Sequence, residues 1–310
     1  MSSERRAPYI AFEGIDGCGK STQIDLLKDF LHQRGLQYYL TREPGGGVVS
    51  DLIRKLILHP DLCAGSQMQL FEFMVGEDDY EQKINPVAHL FIYLTVQELF
   101  SRHPAAEQCS DETAENNRRL ARARRSLPHL LNVPVRPEID FSGFQLSVDD
   151  TIDSRSPVSN ILLFSASRAQ VLPTEVGPRL ESGILVVSDR CYLSSLAYQG
   201  YGEGLDLSII EELSMIACQG ITPDLVFLID TDPKVALGRI HSGRKKEFGK
   251  KDVFEERLVG FLESVAAGYR QMATQSPARF RTIQDIPGEP KLEQKEVRKE
   301  LEQFLEEWNS

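Results

Sequence analysis

The sequence predicts an α/β fold in which a parallel β-sheet is covered by helices on both faces. Short apolar runs suited to buried strands alternate with helical patterns over residues 1–65, and this alternation resumes at residue 160. A glycine-rich turn joins the first strand-like run to the first helical pattern. Because parallel strands are joined by crossover helices, we expect the ligand site at the carboxyl ends of the strands.

The elements can be placed in chain order from these patterns. Five strands are predicted at residues 9–12, 37–41, 184–188, 225–229 and 280–283. The first predicted helix runs from the glycine turn to about residue 35, and four more lie at residues 50–58, 161–182, 192–199 and 208–219. Three others follow: one that starts at residue 233, a long one that ends near residue 274, and a charged one that ends at residue 308. Pro173 is expected to break or kink the helix that contains it.

The glycine-rich turn reads G-x-x-x-x-G-K-S from Gly14 to Ser21, which is the P-loop pattern. Its glycines let successive backbone N–H groups face one anion, and the following helix N-terminus adds attraction. Lys20 is placed to reach the β- and γ-phosphates of a nucleoside triphosphate, and the Ser21 hydroxyl to bind Mg²⁺. The predicted ATP-binding residues are Gly14, Ile15, Asp16, Gly17, Cys18, Gly19, Lys20, Ser21 and Thr22.

Composition limits the partners and the compartment. With 35 basic and 46 acidic side chains the net charge is −11, which argues against nucleic acid or an anionic membrane as the main partner. The five cysteines are scattered and never form C-x-x-C, so no disulfide framework or cysteine metal site is predicted. No apolar run is as long as a membrane span, and the first strand begins near Pro8, too early to follow a cleavable signal. We expect a cytoplasmic enzyme.

A long internal segment differs from the rest of the chain. Residues 84–100 form an apolar run that predicts a buried helix, and residues 138–148 alternate as a hairpin would. The arginines between 118 and 125 predict a solvated helix face or, alternatively, a site for an anionic partner. The predicted domains are residues 1–66 together with 160–310, and an inserted accessory subdomain at 67–159.

Several motifs occur together in a recognisable order. They are Phe12 to Gln23, the T-R-E-P-G-G run from Thr41, residues 162–170, Asp189-Arg190, residues 194–200, Pro223-Asp224-Leu225, and a basic segment before Asp252. With these motifs the chain resembles the thymidylate kinase family, whose members phosphorylate dTMP with ATP. The resemblance implies a P-loop nucleoside monophosphate kinase-like fold, ATP as donor with Mg²⁺, and formation of dTDP in dTTP biosynthesis.

The resemblance also implies an acceptor site. Asp16 would orient the 3′-hydroxyl side of dTMP, and Arg42 and Arg190 would bind its phosphate. Phe164 would stack on the thymine ring, and Arg168 would hydrogen-bond its exposed edge. The implied dTMP-binding residues are Asp16, Arg42, Phe164, Arg168, Arg190, Ser195, Tyr198 and Gln199.

Some of these residues have other interpretations when only the sequence is considered. Tyr198 would crowd a ribose 2′-hydroxyl in the family's site, but it and Phe164 could equally be core aromatics. Arg190 could pair with Asp189, and Arg42 could belong to a surface turn.

Phosphoryl transfer needs mainly positioning and charge neutralisation. Some family members carry a catalytic arginine in the P-loop, but here Gly17-Cys18 stands there, so the resemblance implies a cation from the basic segment, first Arg244 and then Arg239. The expected catalytic residues are Lys20, Arg42, Arg190 and Arg244. The sequence departs from the family in Cys191, which replaces a tyrosine, in Val253, where an arginine is common, and in the insertion.

Two other functions stay open at this stage. One is a kinase for another nucleoside monophosphate or a deoxynucleoside, and the other is a nucleotide-binding regulatory protein without turnover. The family's homodimer interface lies near the insertion, so a homodimer is a possible assembly that the insertion puts in doubt.

Overall fold

The computed structural model describes residues 6–58, 157–243 and 253–310. Five parallel strands form one sheet in the order β2-β3-β1-β4-β5. The strands are β1 (Tyr9–Glu13), β2 (Tyr38–Arg42), β3 (Leu185–Asp189), β4 (Leu225–Asp230) and β5 (Phe280–Gln284). All five coincide with the predicted runs to within one residue at each end, so the predicted fold class is confirmed.

Helices occupy the connections between these strands and the segment after β5. They are α1 (Lys20–Gln33), α2 (Val48–Leu58), α3 (Pro157–Val171), α4 (Gly177–Glu181), α5 (Leu193–Ser195), α6 (Leu207–Cys218), α7 (Pro233–Gly243), α8 (Val253–Gln275) and α9 (Pro290–Asn309). Two π-helical segments, Leu172–Val176 and Leu196–Gly202, follow α3 and α5. Within the ranges just given, no helix combines the length and the apolar composition that crossing a bilayer requires.

The first π-helical segment contains Pro173, the residue that was expected to interrupt the helix. Proline has no N–H to donate to the preceding turn, and a wider turn accommodates that loss. Helical backbone continues from α3 through this segment into α4, so the predicted break is wrong, and Pro173 instead lies where the helix type changes locally.

The core lies at the centre of the sheet. Every residue of β1 is buried, and the strand pairs with β3 on one side and β4 on the other. Central parallel strands are covered on both faces, which explains their continuous apolar sequences. The carboxyl end of β1 runs directly into Gly14, so the glycine turn is anchored to a fully buried strand at the centre of the sheet.

The helices that flank the predicted insertion pack against each other. Ser50, near the start of α2, donates through its hydroxyl to the carbonyl of Ser167, near the end of α3, at 2.9 Å. α2 begins at Val48, two residues before Ser50, and α3 begins at Pro157, three residues before the predicted return to regular structure at residue 160. The predicted helix at 84–100, the arginines at 118–125 and the hairpin at 138–148 lie outside the described residues.

Candidate active site

The glycine turn has a backbone that only glycine adopts readily at its tightest points. Gly14 and Gly17 have φ of +141° and +79°. A Cβ on Gly14 would lie 2.6 Å from the carbonyl oxygen of Ile229, and one on Gly17 would collide with the carbonyl of Ala236. The loop is therefore pressed against the end of β4 and against α7, and its curvature presents backbone N–H groups to one point in front of α1.

Lys20, the first residue of α1, folds back over this loop. Its Nζ donates to the carbonyl oxygens of Gly14 at 2.9 Å and Ile15 at 3.0 Å, and only 6% of the residue is exposed. The next hydroxyl, Ser21 Oγ, donates to Asp189 Oδ2 at 3.1 Å. One cationic group and a hydroxyl–carboxylate pair thus lie at the same helix N-terminus, as phosphate binding with a divalent cation requires.

A cavity of about 260 Å³ opens beside the loop. Its walls come from the ends of β1, β2 and β3 and from the helices that follow them. The lining residues are Asp16, Glu43, Pro44, Arg54, Ile57, Phe164, Arg168, Arg190, Cys191, Ser194, Ser195, Tyr198 and Gln199. Of the eight residues predicted for the acceptor, the cavity brings together seven, and Arg42 is the exception.

One end of the cavity is charged. Arg190 Nη2 donates to Asp16 Oδ1 and, at 3.3 Å, to the hydroxyl of Tyr198, whose ring lies 5.0 Å below the guanidinium carbon. Burial acts to raise the pKa of Asp16, but Arg190 and Lys20 outweigh it and hold that pKa below its usual value. Burial acts to lower the pKa of Arg190, but the surrounding phenols and carboxylates raise it. The alternative pairing of Arg190 with Asp189 is not the one that the structure contains.

The other end of the cavity holds a buried ion pair. Arg168 Nε donates to Glu43 Oε2 at 2.6 Å, and Arg168 Nη2 donates to Ser195 Oγ at 3.2 Å. Arg168 is only 2% exposed, and its Nη1 has no hydrogen-bond partner among the described residues. Burial would lower the pKa of Arg168, but Glu43 raises it, so the guanidinium stays charged. A buried N–H donor without a partner on a cavity wall is suited to a ligand's carbonyl oxygen.

Two arginines, one at the end of β2 and one on α2, have side chains that contact different groups. Arg42, the last residue of the strand, is exposed and donates through Nη2 to Asp51 Oδ1 at 3.3 Å. Arg54, on α2, lines the cavity, and its Nη1 donates to the carbonyl of Pro44 at 2.8 Å. Burial and the neighbouring Arg42 lower the pKa of Arg54. A region where two guanidinium groups repel each other favours an anionic ligand.

Arg54 and Glu43 are site residues that the sequence reasoning missed. Arg54 interrupts an apolar helical pattern just after the T-R-E-P-G-G run, and Ile57, one turn later on α2, lines the same cavity. That interruption was the available signal. Arg244 lies outside the described residues. Arg239 donates to the Gly17 carbonyl at 3.4 Å and to Asp285 Oδ1 at 2.9 Å, on the side of the loop formed by α7.

The glycine loop and the cavity meet at one edge of a parallel sheet, an arrangement that P-loop kinases use to bring a triphosphate and a small acceptor together. Sequence comparison narrows this class. The family described as "Thymidylate kinase" matches residues 12–103 and 146–294, so the chain belongs to the thymidylate kinase family. The match includes residues 67–103 and 146–159 of the predicted insertion, so only residues 104–145 of that segment lie outside it.

Curated relatives agree with this assignment. A thymidylate kinase of Trichlorobacter lovleyi is 29% identical, over 88% of this chain and 86% of its own length. One of Carboxydothermus hydrogenoformans is 28% identical, over 97% and 98%, and one of Cyanothece sp. is 34% identical, over 65% and 88%. The crystal structure of thymidylate kinase from Ehrlichia chaffeensis superposes with a TM-score of 0.54 at 21% identity, covering 96% of this chain and 99% of that one, which shows the shared fold.

Proposed function

We propose that this chain is a phosphotransferase that moves the γ-phosphoryl group of ATP to dTMP and so forms dTDP for deoxynucleotide synthesis. Membership of the thymidylate kinase family supports the reaction class and both substrates. The residue roles that follow rest on the contacts of the loop and the cavity.

The donor is held by the glycine loop. Its N–H groups and Lys20 neutralise the β- and γ-phosphates, since the Lys20 ammonium needs only to exchange two carbonyl contacts for phosphate oxygens. Ser21 Oγ and the Asp189 carboxylate, 3.1 Å apart, are the oxygen ligands that would hold Mg²⁺, an ion that takes few protein ligands beside phosphates and water. Bound there, Mg²⁺ supplies charge neutralisation for the transferred group.

The acceptor's phosphate belongs at the charged end of the cavity. Arg190 faces this end, and Arg54 provides a second cation that has no carboxylate partner among the described contacts. Arg42 can join them by leaving Asp51, a pair that is largely exposed and therefore weak. Asp16, held below its usual pKa, stays an acceptor for the 3′-hydroxyl of the sugar.

The unpartnered Nη1 of Arg168 is the observation that carries the choice of a thymine-like base. A carbonyl oxygen on the exposed edge of the ring would satisfy this donor, while Phe164 on the same cavity wall provides a surface for stacking. A base that presents an amino group at that position would leave two donors facing each other. Sites built to satisfy a buried polar group discriminate more sharply than sites that fit one more methylene.

A substrate panel tests the proposal directly. Steady-state rates with ATP and Mg²⁺ are measured for dTMP, dUMP, UMP, dCMP, AMP and thymidine. We expect dTMP to be the best substrate and UMP to be strongly disfavoured. A higher rate with another monophosphate or with thymidine would support the alternative kinases, and ATP binding without transfer to any acceptor would support a regulatory protein.

Three further expectations belong to this proposal. Arg244 is the first candidate for the transition-state cation, and Arg244→Ala should lower kcat with little change in dTMP affinity. We propose that residues 67–159 form an accessory subdomain and that the protein is cytoplasmic, while a homodimer stays an assembly that the insertion puts in doubt. The predicted insertion ends at residue 159, but α3 already begins at Pro157, so the stretch to replace is residues 67–156. A glycine–serine linker in its place should preserve ATP binding, reduce dTMP phosphorylation, and change the sedimentation of the protein most. Loss of ATP binding in a soluble variant would place the insertion within the kinase core.

A further inference from the structure

A completely buried carboxylate lies next to Arg190, the arginine proposed to bind the dTMP phosphate. Glu13, at the end of β1, has an exposure of 0%. Its Oε1 accepts from the backbone N–H of Cys191 at 2.8 Å. Its Oε2 accepts from two hydroxyls, those of Ser194 and Tyr269, each at 2.7 Å. A buried charge with three donors is held in one orientation, and so are the groups that donate to it.

These donors surround the backbone of Arg190, which has an uncommon conformation. Arg190 has φ of +74°, in the left-handed region that a branched or long side chain rarely adopts. Its N–H donates to the Phe12 carbonyl at 2.9 Å, and its own carbonyl accepts from Ser188 Oγ at 2.6 Å. The next N–H along the chain, that of Cys191, is the one bound by Glu13. The turn that directs Arg190 toward the cavity is therefore fixed on both sides by hydrogen bonds.

The same network reaches the guanidinium group. Arg190 Nη1 donates to Ser194 Oγ at 3.0 Å, and Ser194 Oγ in turn lies 3.0 Å from the Tyr269 hydroxyl. Tyr269 belongs to α8, is 1% exposed, and is not among the residues that line the cavity. Burial and the Glu13 charge raise the pKa of Tyr269 well above its ordinary value, so the phenol keeps the proton that it donates.

We propose that Tyr269 is a positioning residue for the acceptor phosphate. Its hydroxyl fixes Glu13 and Ser194, and these two groups hold the Arg190 turn and guanidinium in the orientation that meets the phosphate of dTMP. This role rests on the proposed function, because it assigns the Arg190 end of the cavity to that phosphate. α8, the helix that carries Tyr269, begins at Val253, directly after the basic segment that contains Arg244. The same helix therefore supports Arg190 on the dTMP side and follows the predicted cation on the ATP side.

The test uses Tyr269→Phe, which removes one oxygen and keeps the ring in the core. Binding of dTMP and of thymidine is measured by titration calorimetry on the full chain, together with kcat and KM. We expect dTMP to bind about five- to tenfold more weakly and thymidine to bind as in the wild type within about twofold. Only the phosphate distinguishes these two ligands, so a general loosening of the fold cannot produce this pattern.

Two further variants complete the design. Tyr192→Phe is the matched control, because this buried phenol accepts from Arg279 at 2.9 Å and lies outside the network. It should leave both affinities unchanged. Ser194→Ala removes the contact with Arg190 at the other end of the network and should weaken dTMP binding as Tyr269→Phe does. This variant tests the proposal even if Tyr269→Phe folds poorly. In an Arg190→Ala background, Tyr269→Phe should have no further effect on dTMP affinity.

The outcomes separate this role from the proposed function. If the wild type phosphorylates dTMP and neither Tyr269→Phe nor Ser194→Ala changes the dTMP-to-thymidine ratio, the positioning role is wrong and the function stands. Equal weakening of dTMP and thymidine also overturns it. If the wild type does not phosphorylate dTMP, the proposed function fails and the positioning role fails with it.

Discussion

The two halves of the site are built in different ways. In the glycine loop, Lys20 contacts a carbonyl only six positions away along the chain. In the cavity, Arg168 binds Glu43 across 125 positions, and Arg190 binds Asp16 across 174. Lys20 is thus held by its own motif, while the ion pairs of the cavity exist only when the sheet is complete. Substitution of Lys20 should change chemistry alone, and substitutions in the cavity should change chemistry and stability together.

The largest effect is expected in the loop. Lys20→Ala removes the cation that meets the developing charge, so kcat should fall by about 10²- to 10³-fold. The thermal unfolding curve should shift little, because the lost contacts are two hydrogen bonds to backbone carbonyls and a longer one to Cys18 Sγ at 3.5 Å. Lys28→Ala, on the same helix in an ion pair with Asp25, is the control and should keep full activity. A folded Lys20→Ala enzyme with near-normal turnover would contradict the donor assignment.

A substitution in the cavity should lower both the stability of the protein and its activity toward dTMP. Arg168→Met leaves the Glu43 carboxylate buried without its partner, which costs about 3–5 kcal/mol of unfolding free energy. The double variant Glu43→Gln/Arg168→Met should recover most of that stability. Its kcat/KM for dTMP should stay about 10- to 100-fold low, because the donor to the base is still missing. Recovery of activity along with stability would show that Arg168 has only a structural role.

A comparison of two neighbouring arginines tests which side chain reaches the phosphate. Arg54→Ala should raise the KM for dTMP about tenfold, because Arg54 lines the cavity. Arg42→Ala should raise it less than about threefold, because Arg42 faces Asp51. Steady-state kinetics at saturating ATP measure both. The reverse order would mean that Arg42 leaves Asp51 and is the main phosphate ligand.

A smaller effect is expected on sugar selectivity. The Tyr198 hydroxyl lies between Asp16 and Arg190, where it would meet a ribose 2′-hydroxyl. Tyr198→Ala should reduce the preference for dUMP over UMP by about five- to tenfold, and Tyr198→Phe, which keeps the ring, should reduce it less. Ratios of kcat/KM for the two substrates give the answer directly. An unchanged ratio in Tyr198→Ala would assign this aromatic residue to the core.

The smallest effect is expected from pH. The pKa of Asp16 lies below its usual value, and the pKa values of Tyr198 and Arg190 lie above theirs. Each group therefore keeps one protonation state from about pH 7 to 9, and kcat/KM for dTMP should be constant over that interval. It should fall below about pH 7, as the dianionic phosphate of the substrate takes up a proton at its second pKa of about 6. An inflection between pH 7 and 9 that disappears in Asp16→Asn would contradict the pKa of Asp16.

The sequence predicted those parts of the molecule whose signals are contiguous. The strands were found because central parallel strands are apolar on both faces, as β1 is. The loop was found because Gly14 and Gly17 need a conformation that the motif records. Seven of the cavity residues were predicted through motifs of a known family, and the order of the strands then brings them together.

The remaining site residues depend on pairings that a single sequence does not reveal. A helical pattern identifies the side of α2 that is buried, but not that Arg54 would face the same cavity as Arg190. Glu43 is isolated in sequence from Arg168, and Tyr269 lies 256 positions from the carboxylate that it binds. Such contacts join residues that long crossover connections separate along the chain, so spacing in the sequence does not indicate them. The start of α3 at Pro157 was also missed, because a helix can begin before its apolar pattern does.

The fit between α8 and the π-helical segment at 196–202 has a consequence for inhibitor design. A Cβ on Gly202 would lie 2.6 Å from the ring of Phe261, and one on Gly268 would collide with the ring of Tyr201. No methyl group can be added at this junction without displacing an aromatic ring. Tyr198 packs edge-on against the same Phe261 ring at 6.1 Å, so we expect this side of the cavity to admit a bulky sugar analogue poorly. The wall made by α2 and α3, which are joined at Ser50 and Ser167, carries Arg54 and Ile57, and substituents that extend past these two side chains are the ones to explore for selectivity.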